Sequence, residues 1–158
     1  MSVQSIITYL NVHNIPFTVR DHMPAFSAQE VAEKAHISGR RVAKTVVVKL
    51  DWQIALCVLP AVERVNLSLL RQVACSKTAE LAREEEFAHH FSGFEPGAMP
   101  PFGGLFGMAV YLSDSLNQKN TLAFSSGSSS KLLEISWDDF NKLVHPILIT
   151  GKQREAIG

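Results

Sequence analysis

Alternation of hydrophobic and polar residues is clearest in residues 41–50, whose sequence is RVAKTVVVKL. This pattern predicts a β-strand. One face of the strand is formed by Val42, Lys44, Val46 and Val48. An ammonium group among valines must reach solvent, lose its charge or meet an anion. Two interpretations of Lys44 stay open at this point, a lysine at a frayed strand end and a lysine directed into a pocket.

A second hydrophobic segment follows almost at once. Residues 53–59 carry hydrophobic side chains on both faces of the predicted strand, and Asp51 and Trp52 supply a turn before it. A strand that is apolar on both faces belongs in the middle of a sheet. The sequence therefore predicts a central hairpin whose first strand carries Lys44.

The remaining elements follow from helical spacing, capping residues and short β-branched or aromatic segments. The predicted helices cover residues 2–13, a segment opened by the capping box 27–30, a short segment after Asn66, a segment from Thr78 to Phe87, and a segment from Ser136 to Leu143. Further strands are predicted at residues 17–20, 110–112, 121–124 and 132–135, with 145–149 closing the sheet. Hairpins interrupted by helices favour an α+β fold. We expect a single domain over residues 1–158, with a core at about 14–149 and a mixed or barrel-like β-sheet flanked by helices.

Composition excludes several classes of protein. The chain has 158 residues, of which 46% are hydrophobic and 19% charged, so it can bury a core without disulfides or metal. Fifteen basic residues balance fifteen acidic ones, and we therefore expect no DNA partner and only local contact with RNA. Cys57 and Cys75 show no ligand spacing and are predicted to be reduced and buried.

The chain also lacks the signals of targeting and of metal chemistry. Its first residues do not form a signal peptide, and no hydrophobic run approaches membrane-spanning length, so a cytoplasmic protein without a membrane partner is expected. The six histidines show no metal-ligand spacing, and we expect neither a metal nor a cofactor. No GxSxG elbow, HExxH helix or Walker loop is present.

Two glycine-containing loops are candidate ligand sites. Residues 93–103 combine glycines, which let backbone approach a ligand, with prolines, which stiffen the loop. Residues 127–130 offer amides and hydroxyls after a strand. Rigid amides can hold an anion or a developing oxyanion. Considered alone, residues 93–103 fit a purely structural Ω-loop better than a ligand site, and residues 127–130 give only a weak signal of a site.

Four segments taken together resemble one family. They are HMPAFSAQE at 22–30, VAKTVV at 42–47, FEPGAMPPFG at 94–103, and Gly127-Ser128 followed by residues 133–136 and by Phe140, Leu143 and Val144. In this order they are similar to the YbaK/ProRS-associated editing domain family, the free-standing and embedded deacylases of mischarged aminoacyl-tRNA. The similarity extends from about Asp21 to Ile149, and it favours the pocket interpretation of Lys44.

The resemblance also implies roles for individual residues. The functional lysine of the family corresponds to Lys44, and its GxxxP loop corresponds to Gly97 through Pro101. The catalytic residues implied are Lys44, Gly97 and Gly127, and the substrate-binding residues implied are His22, Ala98, Met99, Pro100, Pro101, Phe102, Ser128 and Ser129. Many members carry a histidine after the glycine–serine pair, where this chain has Ser129 or its neighbours. Met99, Phe102, Leu105 and Phe106 suit pocket walls and ordinary core equally.

The implied function is trans-editing by hydrolysis of the ester of mischarged tRNA. Substrates would carry a small amino acid such as Ala, Cys or Ser, on tRNA-Pro or a similar tRNA, and the partners would be the acceptor end and prolyl-tRNA synthetase. An ester is already reactive, so positioning and charge stabilisation replace a strong nucleophile, and the resemblance implies that the ribose 2′-hydroxyl helps to activate water. The alternatives are a non-catalytic module that binds a nucleotide, an aminoacyl adenylate or a partner protein, and a structural interaction domain with Lys44 exposed.

Overall fold

The computed structural model of the chain describes residues 3–23, 28–35, 38–91, 99–116, 121–126 and 130–150. The helices in these ranges are α1 (Val3–Val12), α2 (Ala28–Lys34), α3 (Leu67–Ala74), α4 (Glu84–Phe87) and α5 (Trp137–Val144). The strands are β1 (Thr18–Asp21), β2 (Val42–Leu50), β3 (Gln53–Pro60), β4 (Ala79–Leu81), β5 (Val110–Ser113), β6 (Thr121–Ser125), β7 (Lys131–Ser136) and β8 (Ile147–Ile149). Short 3₁₀ turns cover Ala88–Phe91, Gly103–Phe106 and Asp114–Leu116.

These strands form one mixed sheet around β2. Their order is β1-β7-β6-β2-β3-β5-β8, and β4 also pairs with β2. β2 is antiparallel to β3 along its whole length, parallel to β6 at its start and antiparallel to β4 at its end. The pairings of β3 with β5 and of β5 with β8 are parallel. The predicted α+β fold with a central hairpin and a mixed sheet flanked by helices is confirmed.

Alternation along β2 divides the sheet into two faces. The face that includes Val42, Lys44, Val46 and Val48 is called the Lys44 face here. On it, α2 packs against the start of β2 by placing Ala32 in a cluster with Val42. Helix α3 packs near the end of β2 by placing Leu70 in a cluster with Val48. Lys44 lies on the strand between these two clusters and is half-buried.

The opposite face carries the largest hydrophobic cluster. Helices α1 and α5 pack there, together with the segment around Phe102. The Phe102 ring is 1% exposed, and its centroid lies 5.1 Å from that of Phe124, 5.7 Å from Tyr9 and 6.1 Å from Phe140. One ring thereby joins α1, β6 and α5 to the segment that follows residue 98.

The helix predicted from Thr78 to Phe87 is wrong in its first half. Residues 79–81 form β4, which pairs with the end of β2, and α4 begins only at Glu84. Asp51 in the hairpin turn accounts for the difference, because its carboxylate accepts hydrogen bonds from the Thr78 and Lys77 amides at 2.9 and 3.0 Å. These bonds hold the segment beside β2, where strand pairing satisfies its backbone.

Of the three predicted helix caps in the described residues, Asn66 and Ser136 are confirmed and Thr78 is wrong, because β4 follows it. The Asn66 side chain accepts from the Leu69 amide at 3.0 Å, and Ser136 accepts from the Asp139 amide at 3.1 Å. The burial predicted for both cysteines is wrong for Cys75, which follows the last turn of α3 with φ of 55° and is exposed. Among the described residues no helix is long and apolar enough to cross a membrane.

Candidate functional site

Lys44 is a half-buried cation without a fixed partner. It lies opposite Leu59 on β3, and within the described part of the chain its ammonium group makes no ion pair or hydrogen bond. Burial lowers the pKa of Lys44, and the nearby Arg64 guanidinium lowers it further, whereas Glu63 acts in the opposite direction. A partly desolvated cation without an ion pair among the described residues is suited to contact an anionic or strongly polarised ligand group.

The strand next to β2 leads towards the second predicted loop. Val42 pairs with Ala123 of the parallel strand β6, so alternation places Ser125 on the Lys44 face, at the level of Lys44. Ser126 is buried, and its hydroxyl donates to the Lys131 carbonyl at 3.2 Å. Both flanks of the predicted loop are therefore held in the sheet. Gly127, Ser128 and Ser129 lie outside the described residues, and their roles remain predictions.

His22 is anchored beside the same loop. Its amide donates to the Ser130 carbonyl at 2.9 Å, and its Nδ1 lies 2.7 Å from the Met23 carbonyl oxygen. The other ring nitrogen, Nε2, is buried and has no hydrogen-bond partner in the described structure. Buried polar atoms are rarely left unpaired, so this nitrogen is suited to bond to a ligand. The substrate-binding role of His22 stays a prediction.

The first predicted loop is described only in its second half. Gly97 and Ala98 fall outside the described residues, Met99 is half-buried, and Pro100 and Pro101 are buried. Phe102 and Met99 belong to the cluster on the face opposite Lys44. Phe102 was open to two interpretations, a pocket wall and an ordinary core residue, and its contacts are those of a core residue. The structure does not bring its ring together with Lys44.

A cavity near Lys44 is lined by residues that the sequence did not single out, and Lys44 itself is not among them. Its volume is about 290 Å³. Apolar lining comes from Cys57, Leu59, Leu69 and Ile149, and polar lining includes Glu63, Arg64, Asn66, Ser113, Asp114 and Ser115. The predicted hairpin did contain a clue to Glu63 and Arg64. When its two strands pair with Lys44 opposite Leu59, the residues that follow Pro60 lie near the lysine.

A larger cavity lies at the other end of the hairpin. It measures about 570 Å³, and its polar lining includes Asp51, Gln53, Ser76 and His90. None of the residues predicted to form the site lines it, and its lining contains no residue whose charge acts on Lys44. We therefore place the candidate site at Lys44 and the smaller cavity, because Lys44 lies opposite Leu59 and is influenced by the charges of Glu63 and Arg64, and all three of these residues line that cavity.

Comparison with solved structures identifies the same fold in other proteins. The hypothetical protein APE2540 superposes with a TM-score of 0.80 at 18% identity, over 90% of this chain and 95% of that one. A candidate trans-editing enzyme for prolyl-tRNA synthetase superposes with a TM-score of 0.76 at 17% identity, over 92% of this chain and 93% of that one. Part of a candidate signal transduction protein from Marinobacter aquaeolei VT8 also matches, with a TM-score of 0.73 at 13% identity, over 91% of this chain and 29% of that one. At these identities the similarity establishes the fold alone.

Sequence comparison identifies the family. No curated protein matches the sequence significantly. The family model of the aminoacyl-tRNA editing domain matches residues 22–143, which include Lys44 and both predicted loops. The resemblance carried by the four segments is thus confirmed over more than half of the sequence, and the chain belongs to the aminoacyl-tRNA editing domain family.

Proposed function

We propose that this chain is an aminoacyl-tRNA deacylase that hydrolyses the ester bond of mischarged tRNA in trans. Membership of the editing domain family supports this proposal. The observation that carries it is Lys44, a half-buried ammonium group without a partner in the described residues, near a cavity of about 290 Å³. The acceptor end of a tRNA carries both anionic groups and a polarised ester carbonyl, which such a cation can contact.

The reaction needs little covalent chemistry from the protein. A water oxygen adds to the carbonyl carbon of the ester, the bond to the ribose oxygen breaks, and that oxygen takes a proton. The products are the free amino acid and uncharged tRNA. Negative charge develops on the carbonyl oxygen during the addition, and fixed donors stabilise it. We assign Lys44 to the carbonyl or to the terminal phosphate, and the backbone near Gly97, Gly127 and Ser128 to the carbonyl oxygen and the terminal adenosine.

The substrates are proposed to be tRNAs charged with small amino acids, namely alanine, serine or cysteine. The apolar lining that Cys57, Leu59 and Leu69 give to the cavity near Lys44 is suited to an uncharged side chain. Discrimination by one methylene group is worth only about 1–3 kcal/mol, which is why a synthetase benefits from a second, hydrolytic site. We propose tRNA-Pro or a similar tRNA as the carrier and prolyl-tRNA synthetase as a partner. The solved structure described as a candidate trans-editing enzyme for that synthetase shares this fold.

Replacement of Lys44 tests the proposal. Lys44→Ala should lower the rate of deacylation of alanyl-tRNA by about a hundredfold or more, because removal of one group that stabilises the developing charge typically costs that much. Lys142→Ala removes an exposed lysine of α5 and is the matched control, which should keep the wild-type rate. Rates would be measured on tRNAs charged with alanine, serine and cysteine.

Two results would contradict the proposal. Deacylation by Lys44→Ala at the wild-type rate would remove Lys44 from the mechanism. Binding of charged tRNA by the wild-type protein without turnover of any of the three substrates would identify a binding module instead.

A further inference from the structure

A half-buried carboxylate lies in the cavity near Lys44. Glu63 Oε2 accepts a hydrogen bond from the Ser115 hydroxyl at 2.8 Å, and Oε1 accepts one from the Ser113 hydroxyl at 3.4 Å. The two serine hydroxyl oxygens are 2.9 Å apart. Glu63 forms no ion pair with any residue in the described ranges. Hydroxyl donors orient this carboxylate, and Lys44 acts on it without forming an ion pair.

Glu63 is held close to Lys44 by the end of the hairpin. Leu59 lies opposite Lys44, and the Glu63 amide donates to the Pro60 carbonyl at 3.0 Å in the turn that follows β3. The charges of Glu63 and Arg64 both influence the ionisation of Lys44, as expected for groups on the same side of the sheet. The carboxylate and the ammonium group therefore lie near the same cavity without pairing.

The charges around the cavity determine what it can accept. Glu63 and Asp114 contribute two carboxylates to its lining, and Arg64 contributes one guanidinium group at an exposed position. Two carboxylates disfavour a phosphate inside the cavity. The remaining lining is apolar at Cys57 and Leu59. A small cationic group attached to a short apolar chain fits this combination, since buried carboxylates are stabilised by a charged donor.

We propose that Glu63 binds the α-ammonium group of the aminoacyl ester, while Cys57, Leu59 and Leu69 contact the amino-acid side chain. This inference rests on the proposed function and specifies its substrate. The α-ammonium group is separated from the ester carbonyl carbon by one carbon atom, so recognition by Glu63 aligns the carbonyl towards Lys44. Aminoacyl-tRNAs with a free α-amine are then substrates. Peptidyl-tRNA and N-acylated aminoacyl-tRNA are rejected, because they lack the cation.

Binding of two stable analogues by the full chain tests this inference. In 3′-alanylamino-3′-deoxyadenosine an amide replaces the ester, and its propionyl counterpart lacks only the α-amine. Calorimetry at about pH 6.5 keeps the amine protonated, since its pKa is about 8. The wild-type protein should bind the alanyl analogue roughly tenfold to a hundredfold more tightly, the range expected of a hydrogen bond between charged groups.

The Glu63→Gln variant should bind the alanyl and propionyl analogues with nearly equal affinity, so that the ratio of the two affinities is close to one. Glutamine has nearly the same size and can still bond to Ser113 and Ser115, so the fold should be kept, and thermal unfolding would verify this. Glu80→Gln changes an exposed carboxylate on β4 and is the matched control, which should keep the wild-type ratio.

Several outcomes would overturn the inference. They are equal affinity of the wild-type protein for both analogues, binding of neither, and an unchanged ratio in Glu63→Gln. An equal loss of affinity for both analogues in Glu63→Gln would show that Glu63 only positions other groups. Hydrolysis of alanyl-tRNA, measured in parallel, reports on the proposed function separately. A preserved analogue preference without ester hydrolysis would reject the deacylase activity and leave the recognition by Glu63 intact.

Discussion

At the scale of single residues, burial makes the two cysteine thiols differ in reactivity. Cys57 lies in β3 with 2% of its surface exposed, and burial raises the pKa of its thiol to about 12. Cys75 follows α3 and is exposed. The thiolate is the reactive form of cysteine, so a buried thiol with a raised pKa is protected twice, by its protonation and by restricted access.

We therefore predict that one thiol reacts in the native protein. Titration with a disulfide reagent at about pH 8, near the pKa of an ordinary thiol, should give one fast equivalent, and a second equivalent only in denaturant. Cys75→Ser should remove the fast equivalent, and Cys57→Ser should keep it. Fast reaction of both thiols in the native protein would contradict the burial of Cys57.

Lys44 shows how one residue gains its properties from its neighbours. Its place on an apolar strand face follows from alternation alone. Its half-buried state arises because α2 and α3 pack against different ends of β2 and Lys44 lies between their clusters. The sequence predicted a lysine that must reach solvent, lose its charge or meet an anion, and the fold leaves it half-buried, near Glu63 but without an ion pair among the described residues.

At the scale of elements, one ion pair connects β2 to α4. Lys49 Nζ lies 2.8 Å from Glu86 Oε2. The hydrogen bond from Lys49 and a second one from the Arg83 amide lower the pKa of Glu86 to about 2. The Arg83-Glu84-Glu85-Glu86 run is therefore divided, since its first three residues are exposed and Glu86 is half-buried. Its last carboxylate stabilises the contact between a strand and a helix.

This pair predicts a stability change in acid. The reference pKa of Glu86 is 4.5, so between about pH 4.5 and 2 the unfolded chain binds a proton that the folded chain does not. Stability should fall as the pH decreases through this window. Glu86→Gln should flatten that part of the profile, measured by thermal unfolding across the window, whereas Glu84→Gln at an exposed neighbouring position should keep it. An identical acid dependence in the wild type and Glu86→Gln would refute the assignment.

At the scale of the whole molecule, the aromatic contacts of Phe102 join elements that are distant in sequence. Its ring packs against Tyr9 of α1, Phe124 of β6 and Phe140 of α5. Dense packing around a fully buried ring leaves little freedom for relaxation, so truncation creates a cavity. The segment that carries Met99 and Pro100 is thereby attached to the core that supports the sheet.

Phe102→Ala should lower the free energy of unfolding by about 3–5 kcal/mol, a large part of the 5–15 kcal/mol typical of a domain. Trp52→Ala is the matched control, because the Trp52 side chain is 89% exposed and its contact with the Lys49 ammonium group, 5.6 Å from the ring centroid, lies at the surface, so its loss should change stability by about 1 kcal/mol or less. Both values can be measured by urea titration. A small effect of Phe102→Ala would favour the pocket-wall interpretation of this ring over the core interpretation.

The sequence by itself determined the features that depend on neighbouring residues. Alternation specified β2 and β3, the Asn66 and Ser136 side chains specified two helix starts, and the order of four segments specified the family. These features follow from interactions within a few residues, which the sequence displays directly.

Only the tertiary structure decided the features that join distant segments. Thr78 suits a helix start, yet Asp51 in the hairpin turn holds its segment as a strand. Phe102 suits a pocket wall, yet three distant rings enclose it. Glu63 is recognised as a candidate binding residue only in the fold, where the hydroxyls of Ser113 and Ser115, fifty residues later, bond to its carboxylate. The physical reason is that pairing register and side-chain burial depend on contacts between segments, and alternation along one segment does not contain them.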